Sequence, residues 1–514
     1  MRMAEEQVFW HLFDIADITS NYSGSYSKVS DNCRNFVAKE RLCGRKNKNE
    51  NARQLCVIRG NNLLAICFLC GAAKADVIYV DTTASGGNDG STWANAFKSL
   101  QDALAAASVN DEIWVAAGTY RPDKGIGIIV GSRAATFQLV NNVAIYGGFP
   151  TGGGEWWSRN PLAYKSTLSG DLNNNDGPDF TNYSENSYHI VTGSATDATA
   201  ILDGFTIKGG NANGTSPHEH GGGMYNSEGN PTIGYCTFRV NSAFSTGGGM
   251  YNGWSSPTVT NCMFVGNLAF NLVKESYGGG MYNVYRSNPT VTNCTFSNNK
   301  ASYGAGLSNY SECIAIVKNC IFWQDESLLG PVSYEIFSHP GAGFYEEPGY
   351  IGYSWAIVSY SDIDNNGWYG PGPDAYGNID ADPNFIDPGY WDAKGTPEDI
   401  TDDIWVNGDY HLSPGSPCID SGSNLGIDID KVDLDGDGIT NEPVPLDMDG
   451  YARFTDDPNT PDSGVYFTPE FPIVDMGAYE YPGREHIKGD VNGDGKVDFR
   501  DIAVVAGNWL AGTE

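Results

Sequence analysis

The chain has 514 residues, with 30 Lys and Arg against 63 Asp and Glu and a formal net charge of −33. A surface this acidic repels nucleic acid and anionic membranes and suits divalent cations, so nucleic-acid binding is excluded as a function class. The 64 glycines, against an ordinary share of about 7%, stand among many Asn and Asp and point to a backbone rich in tight turns.

The charge is unevenly divided. Residues 1–75 carry 11 basic and 7 acidic residues, so the acidity lies beyond them. Within that segment the apolar run LLAICFLCGAA at 63–73 follows Arg53 and Arg59 and precedes Ala73-Lys74-Ala75. It is too short to span a bilayer. A basic flank, a short apolar run and an A-x-A site predict a secretory signal peptide cleaved after Ala75, hence a secreted or cell-surface protein with no transmembrane segment. Residues 1–56 are then an extension upstream of a normal start. The alternative reading is a buried apolar strand behind a tail. No lipobox precedes Cys67 or Cys70. Beyond the cleavage site remain Cys236, Cys262, Cys294, Cys313, Cys320 and Cys418, whose spacing fits no zinc motif.

Residues 76–80 (DVIYV) read as a strand. Ser99 and Asp102 form a capping box for the helix LQDALAAA, and EIWVAAGTY follows as a strand. The helix is expected to cover one open end of the fold.

From about 195 to 366 the sequence repeats. GGGMYN occurs at 221–226, 247–252 and 278–283, with a relative, GAGLSN, at 304–309; each leads into PTIGYCTF, PTVTNCMF, PTVTNCTF or IAIVKNCIF. The spacing of Cys236, Cys262, Cys294 and Cys320 suits one coil of a parallel β-helix. Simple alternation would put Val291 and Cys294 on opposite faces. A corner at Asn293, with Asn261 and Asn319 equivalent and Tyr235 breaking the pattern, resets the parity, because Asn tolerates a left-handed backbone. A second Asn follows each Phe by three residues: Asn241, Asn267 and Asn299, with Gly210 and Asn366 in the same place. In this register LDGFTIKGG puts Phe205 and Ile207 inside, and VSYSDIDNN puts Ser361 and Ile363 inside. Residues 211–220 and 324–352 read as outward insertions. Stacked Cys and Phe ladders fill the interior, with the thiols unbridged. Beyond 370 the chain turns Pro-, Asp- and Gly-rich, a loop-rich closing region ending near Tyr481. The fold class is therefore all-β, a right-handed parallel β-helix (solenoid) over 76–482 with an N-terminal cap helix.

GGGM followed by F-x-x-N (Phe238–Asn241, Phe264–Asn267, Phe296–Asn299) resembles the polymorphic outer-membrane-protein repeat. IYVDTTASGGNDGSTWANAFKSLQDAL, SPCIDSGS and VDMGAYEY are similar to secreted bacterial β-helix proteins of the pectin-lyase-like superfamily. The resemblance covers about 76–482. It implies the fold, and it admits adhesins and surface proteins as well as polysaccharide-active enzymes.

Residues 483–514 read as a linker and a small α calcium-loop module. GDVNGDGKVDFRDIAVVAGNWL resembles one half of a dockerin. An EF-hand loop takes ligands from positions 1, 3, 5, 7, 9 and 12 with Gly at 6. Starting at Asp490, these are Asp490, Asn492, Asp494, the Lys496 carbonyl, Asp498 and Asp501, with Gly495 at six, so Ca2+ is the expected cofactor. Phe499, Ile502, Val505 and Trp509 then give an apolar helical stripe. Two such repeats normally make a cohesin-binding dockerin and one is present, so the stripe is expected to pack on the β-helix end, bind a partner or dimerise. A weaker loop runs through Asp433, Asp435 and Asp437, with Gly438 and Asn441, but has Val444 at position 12.

The candidate chemistry is sparse. Asp362 and Asp364 are expected to face out, about 6.6–6.8 Å apart at two strand residues, near the separation of an inverting glycosidase pair; a solvated acidic strand shows the same pattern. His218-Glu219-His220 is a loop that offers metal donors but lacks helical H-E-x-x-H spacing, so a solvated loop tip is its plainer reading. A polyuronate lyase needs a basic residue beside calcium-binding carboxylates, yet Lys208, Arg239, Lys274, Arg286, Lys300 and Lys318 are spread without clustering in the sequence. Two functions follow: a non-catalytic adhesin, spacer or glycan-binding scaffold with a polysaccharide or cell-surface partner, and, second, a polysaccharide hydrolase or lyase.

Overall fold

The computed structural model describes residues 55–60, 63–68, 76–177, 180–329, 334–339, 353–364, 367–369, 376–396, 403–430, 439, 441–466 and 471–482. The dockerin-like loop from Asp490 to Asp501, the loop at Asp433–Gly438, the cleavage site at 73–75 and Asn366 lie outside them. The chain divides into two units, Met1–Ala73 and Lys74–Glu514. In the first, Leu55–Gly60 and Leu63–Phe68 pair as an antiparallel hairpin. No helix among the described residues is long and apolar enough to cross a membrane.

The second unit is a parallel β-helix. Among the described residues its coil strands fall into four parallel sheets that run along the axis, and two antiparallel pairs, Phe385–Asp387 with Asp409–Leu412 and Tyr390–Asp392 with Ile404–Val406, follow them in the chain. Sheet 1 has nine strands from Val77–Val80 to Trp355–Ser359; sheet 2 has eight, from Gly118–Tyr120 to Asp362–Ile363. Sheet 3 has five short strands from Asn211–Ala212 to Glu326–Ser327, and sheet 4 has eight, from Phe137–Gln138 to Trp368–Tyr369. The coils thus begin well before residue 195. The segment expected as an insertion at 324–352 contributes Glu326–Ser327 to sheet 3 and Ile336–Ser338 to sheet 4. Likewise Asn211–Ala212 is the first strand of sheet 3, and the excursion begins after it.

The corner between sheets 1 and 2 is left-handed at Asn261, Asn293 and Asn319, with φ near +50°, and Tyr235 takes the same conformation. That one residue per coil lets Val291 and Cys294 both point inward, each fully buried. The second corner differs from the expected one. The left-handed residues are Gly209, Val240, Gly266, Asn298 and Gln324, one position before Asn241, Asn267 and Asn299. The displaced asparagines turn inward instead and form a ladder: Asn241 Nδ2 donates to Asn267 Oδ1 at 3.0 Å, and Asn267 Nδ2 to Asn299 Oδ1 at 2.9 Å. A buried amide requires such partners, and stacking supplies one per coil.

GGGMYN has a steric cause. Its first Gly is left-handed in every copy (Gly221, Gly247, Gly278). A Cβ on the third, Gly223, would stand 2.5 Å from the Gly249 carbonyl oxygen of the next coil. Met224, Met250 and Met281 are buried, and Asn226, Asn252, Asn283 and Asn309 form a second amide ladder at 2.8–2.9 Å.

The interior holds the predicted ladders. Phe238, Phe264, Phe296 and Phe322 stack face to face with centroids 4.5–4.7 Å apart, each contributing about 1.5–3 kcal/mol by burial. The six described cysteines are free and buried. The helix α1 (Leu100–Ala106) is capped by the Ser99 hydroxyl, which accepts from Gln101 N. Asp102 does not complete the capping box; it accepts from Ile126 N at 2.7 Å. Leu100 and Ala103 join the same core as Val80, Ile113 and Val115.

The closing region, from residue 376 to 482, lies against the outward face of sheet 2. Phe385, Tyr410, Leu412, Cys418 and Met476 pack on Met263, Val265 and Ile321. Arg453, fully buried, fastens it: its guanidinium donates to Asn261 Oδ1 at 2.8 Å, to Glu480 at 3.2 Å and to the Ala478 carbonyl. Asn319 likewise grips Ser423 through both backbone groups.

Candidate functional site

The strand register of sheet 2 sorts its outward side chains into two rows. One runs Thr119, Thr167, Thr206, Thr237, Met263, Thr295, Ile321, Asp362. The other runs Ser169, Lys208, Arg239, Val265, Ser297, Trp323. The closing region packs over both rows from Met263 onward and meets Arg239 through Asn407 at its edge. What remains open is a cleft of about 480 Å³. Its floor is Thr167, Thr206, Thr237, Lys208 and Arg239; Pro161–Lys165 forms one wall and Asn407–His411, Met448 and Tyr479 the other.

Lys208 and Arg239 are register partners in adjacent coils, which places them about 4.8 Å apart along the axis. The scattered basic residues of the sequence are therefore clustered after all at this point, because the coil period superimposes them. Both are partly buried. Burial, then the Arg239 charge, hold the Lys208 ammonium below its ordinary range, while Asp176 and Asp171 oppose the shift. Arg239 Nη1 donates to Asn407 Oδ1 at 3.2 Å, tying the floor to the far wall. His411 sits between Asp409 and Asp449, its Nε2 2.5 Å from Asp449 Oδ2. Burial opposes its protonation, but the two carboxylates push it up to about 9, so it is an imidazolium at neutral pH.

Beside Lys208 the loop after Ser166–Ser169 carries three carboxylates. One oxygen from each of Asp171, Asp176 and Glu185 lies within 4.8 Å of the others. Asp171 accepts from Asn175 N and Asp176 N. Asn186 Nδ2 donates to Asp176 Oδ2 at 2.9 Å, and Asp176 stands against Gly209, the corner that ends the Lys208 strand. Arg121 braces the loop through the Asp171 carbonyl at 2.6 Å. Burial first, then Asp171 and Glu185, raise Asp176 to about 7. The donor set is all oxygen, which suits a hard divalent cation such as Ca2+. A cation-capable carboxylate triad thus borders a lysine with a depressed pKa and an arginine.

The residues singled out from the sequence fare differently. Asp362 does occupy the outward row, but it is fully buried rather than solvated, because the closing region lies over it. Its Oδ1 accepts from Ala381 N at 3.1 Å and its Oδ2 from the Cys418 thiol at 3.3 Å. Asp364 is half-buried and faces the buried acids Asp325 and Glu335. The two carboxylates do not flank an open cleft. His218-Glu219-His220 is not a solvated tip: His218 stacks on Tyr188 and reaches His189 at 3.0 Å, and His220 stacks on Tyr251. The metal-ligand residues Asp490, Asn492, Asp494, Lys496, Asp498 and Asp501 lie outside the described residues.

Sequence reading missed Lys208, Arg239, Asp171, Asp176 and Glu185 as a group. The signal for the first two was present: each follows an inward residue, Ile207 or Phe238, at the same place in its coil. Asp171 and Asp176 lie in GDLNNNDG, ahead of the first coil whose register the repeats reveal.

No protein-family model matches the chain, and no curated protein matches it. Among solved structures it is similar to pectate lyase Pel9A, with 14% identity and a TM-score of 0.36 over 80% of this chain and 97% of that one. It is also similar to pectin methylesterase PemA from Erwinia chrysanthemi, with 10% identity and a TM-score of 0.25 over 64% and 85% of the two chains. A rhamnogalacturonan lyase matches with 10% identity and a TM-score of 0.21 over 66% and 97%. Likenesses this distant bear on neither substrate nor chemistry.

Proposed function

We propose that the protein binds a polyuronate chain in the cleft of sheet 2 and cleaves it by β-elimination. The observation that carries this reading is the Lys208–Arg239 pair beside the Asp171, Asp176 and Glu185 carboxylates. Lys208, whose ammonium is held below its ordinary range by burial and by Arg239, is the base that would take the proton next to the uronate carboxylate. Arg239 presents a planar donor fork that suits a carboxylate on the same sugar. As Lys208 takes that proton, its C–H electron pair becomes the new carbon–carbon double bond and the glycosidic C–O bond breaks. The leaving oxygen gains a proton from water, and no oxidant or reductant is required. Asp171, Asp176 and Glu185 would hold a Ca2+, which when bound offsets the negative charge of the uronate. The threonine row and the Pro161–Lys165 wall orient the chain along the axis.

A second reading, a non-catalytic glycan-binding scaffold, is favoured by a separate observation. On the side of sheet 4, Trp254 and Tyr285 stack at 4.1 Å with Trp254 half exposed, a platform on which a sugar face can rest. Secretion after Ala75 and Ca2+ binding by Asp490–Asp501 complete the proposal in either case. Incubating the purified chain with polygalacturonate, alginate and neutral glycans, and following unsaturated-uronate absorbance together with new reducing ends, tests it. Unsaturated products from an acidic polymer support the lyase. Retention of glycan without products of either kind supports the scaffold, and reducing ends without unsaturation point to a hydrolase instead.

A further inference from the structure

A second group of carboxylates lies in the closing region, remote in sequence from the cleft residues and unused by the chemistry above. Asp420 follows Cys418 in the segment that packs on sheet 2, and the chain returns to it at 456–464. Ser463 N and Gly464 N both donate to the Asp420 carbonyl, at 2.9 and 3.1 Å, and Asp420 N donates to Asp475 Oδ1 at 2.7 Å. These bonds hold the Asp420 backbone at the base of the returning loop. One oxygen of Asp420, one of Asp456 and one of Asp462 lie within 4.8 Å of each other.

Clustering alone would be an ordinary feature of an acidic surface, but Asp420 is not at the surface. It has 0% exposure. Its Oδ2 accepts from Asp457 N at 3.3 Å, whereas its Oδ1 is buried without a hydrogen-bond partner. A buried carboxylate oxygen left without a donor is destabilising until something supplies the missing partner. No ion pair among the described residues involves Asp420, Asp456 or Asp462. Neighbouring Asp457 is otherwise occupied, accepting from Asn459 and Thr460. The other two members, Asp456 and Asp462, are exposed at the rim, and Tyr466 OH donates to Asp462 and steadies it.

We propose that Asp420, Asp456 and Asp462 bind a hard divalent cation, Ca2+ by their chemistry, that pins the 456–466 loop to the segment after Cys418. Oxygens at 2.3–2.6 Å from a calcium ion stand up to about 5 Å apart across it, which accommodates the observed spread. The donors are carboxylates without nitrogen or sulfur, which disfavours zinc and copper. Calcium tolerates the irregular, partly open geometry and fills its remaining positions with water, where magnesium demands a regular octahedron. The cation would supply the partner that Asp420 Oδ1 lacks and would stiffen the region that covers half of sheet 2. This inference is independent of the lyase reading.

The test is calcium titration of the full chain by calorimetry, in a background carrying Asp490→Ala and Asp494→Ala so that the C-terminal loop does not contribute. Asp456→Asn with Asp462→Asn, both at exposed positions, should lower the stoichiometry by one, whereas Asp171→Asn with Asp176→Asn should leave this site filled. In the unmodified chain, calcium should slow amide hydrogen exchange across 457–466 at least tenfold relative to chelated protein. Unchanged stoichiometry in the Asp456/Asp462 variant, or exchange across 457–466 that ignores calcium, overturns the proposal.

Discussion

Asn299 donates to Asp325 twice, from its backbone N at 2.6 Å and from Nδ2 at 2.8 Å, both to Oδ1. The inward amide ladder of Asn241, Asn267 and Asn299 therefore ends on a carboxylate. That carboxylate is buried beside a second, Glu335, whose Oε1 accepts from Asp325 N at 3.2 Å. Burial raises both acids; Asp325 raises Glu335 further, while the hydrogen bond with Glu335 only partly offsets the burial of Asp325. Two acids whose folded pKa values exceed their unfolded values hold protons more tightly in the native state. Their contribution to stability is complete below the unfolded values, near pH 4, and is lost as pH rises through the folded ones. Asp325→Asn keeps the acceptor for Asn299 and removes one charge. The denaturation midpoint of this variant should fall less between pH 5 and pH 8 than that of the parent; equal slopes would show that the pair is not coupled to folding.

Interior and covered positions of the sheet 2 register make a second prediction. Phe296→Ala removes the centre of the aromatic stack and should cost about 3–5 kcal/mol. Asp362→Ala strips the acceptor from Ala381 N and the Cys418 thiol and should cost about 1–3 kcal/mol. The sequence alone, placing Asp362 in water, predicts almost no cost for the second change. Urea unfolding of the two variants distinguishes these accounts.

The contrast shows what a repeat can and cannot reveal. The corner at Asn261, Asn293 and Asn319, the Cys and Phe ladders and the outward position of Asp362 were legible because each recurs with the coil period. The covering of Asp362 was not, because Ala381 and Cys418 reach it from a region without repeats. The second corner was displaced by one residue for a related reason: an Asn stacked inward and an Asn at a left-handed turn leave the same mark in the sequence. Lys208 and Arg239 were legible in principle, at equivalent coil positions. The Asp171 loop precedes the readable register, and no period points to it.

Arg453 offers a third test, of the closing region. Its guanidinium joins Asn261, Gly477, Ala478 and Glu480 with no exposure to solvent. Arg453→Met should leave Glu480 buried and uncompensated, costing about 3–5 kcal/mol. Limited proteolysis should then cut first in the closing region while the coils stay intact. Uniform unfolding without such a stage would mean that the closing region and the coils melt as one unit.

Metal removal separates the roles of the two carboxylate groups. If the Asp171, Asp176 and Glu185 triad holds a cation that assists cleavage, chelation and Asp176→Asn should each lower turnover of an acidic polymer at least tenfold. Asp456→Asn with Asp462→Asn, in the other carboxylate group, should lower it far less. Comparable losses from both would place the catalytic cation elsewhere.

The most direct test of the account is the initial rate of unsaturated-uronate formation by the parent chain and by Lys208→Ala, on the acidic polymer that the parent cleaves best. The account predicts a rate reduced about 10²–10⁴-fold in the variant, the range expected when a positioned base is lost, with polymer binding retained through Arg239. Turnover by the parent that Lys208→Ala leaves undiminished, or no unsaturated product from any polyuronate, would contradict it.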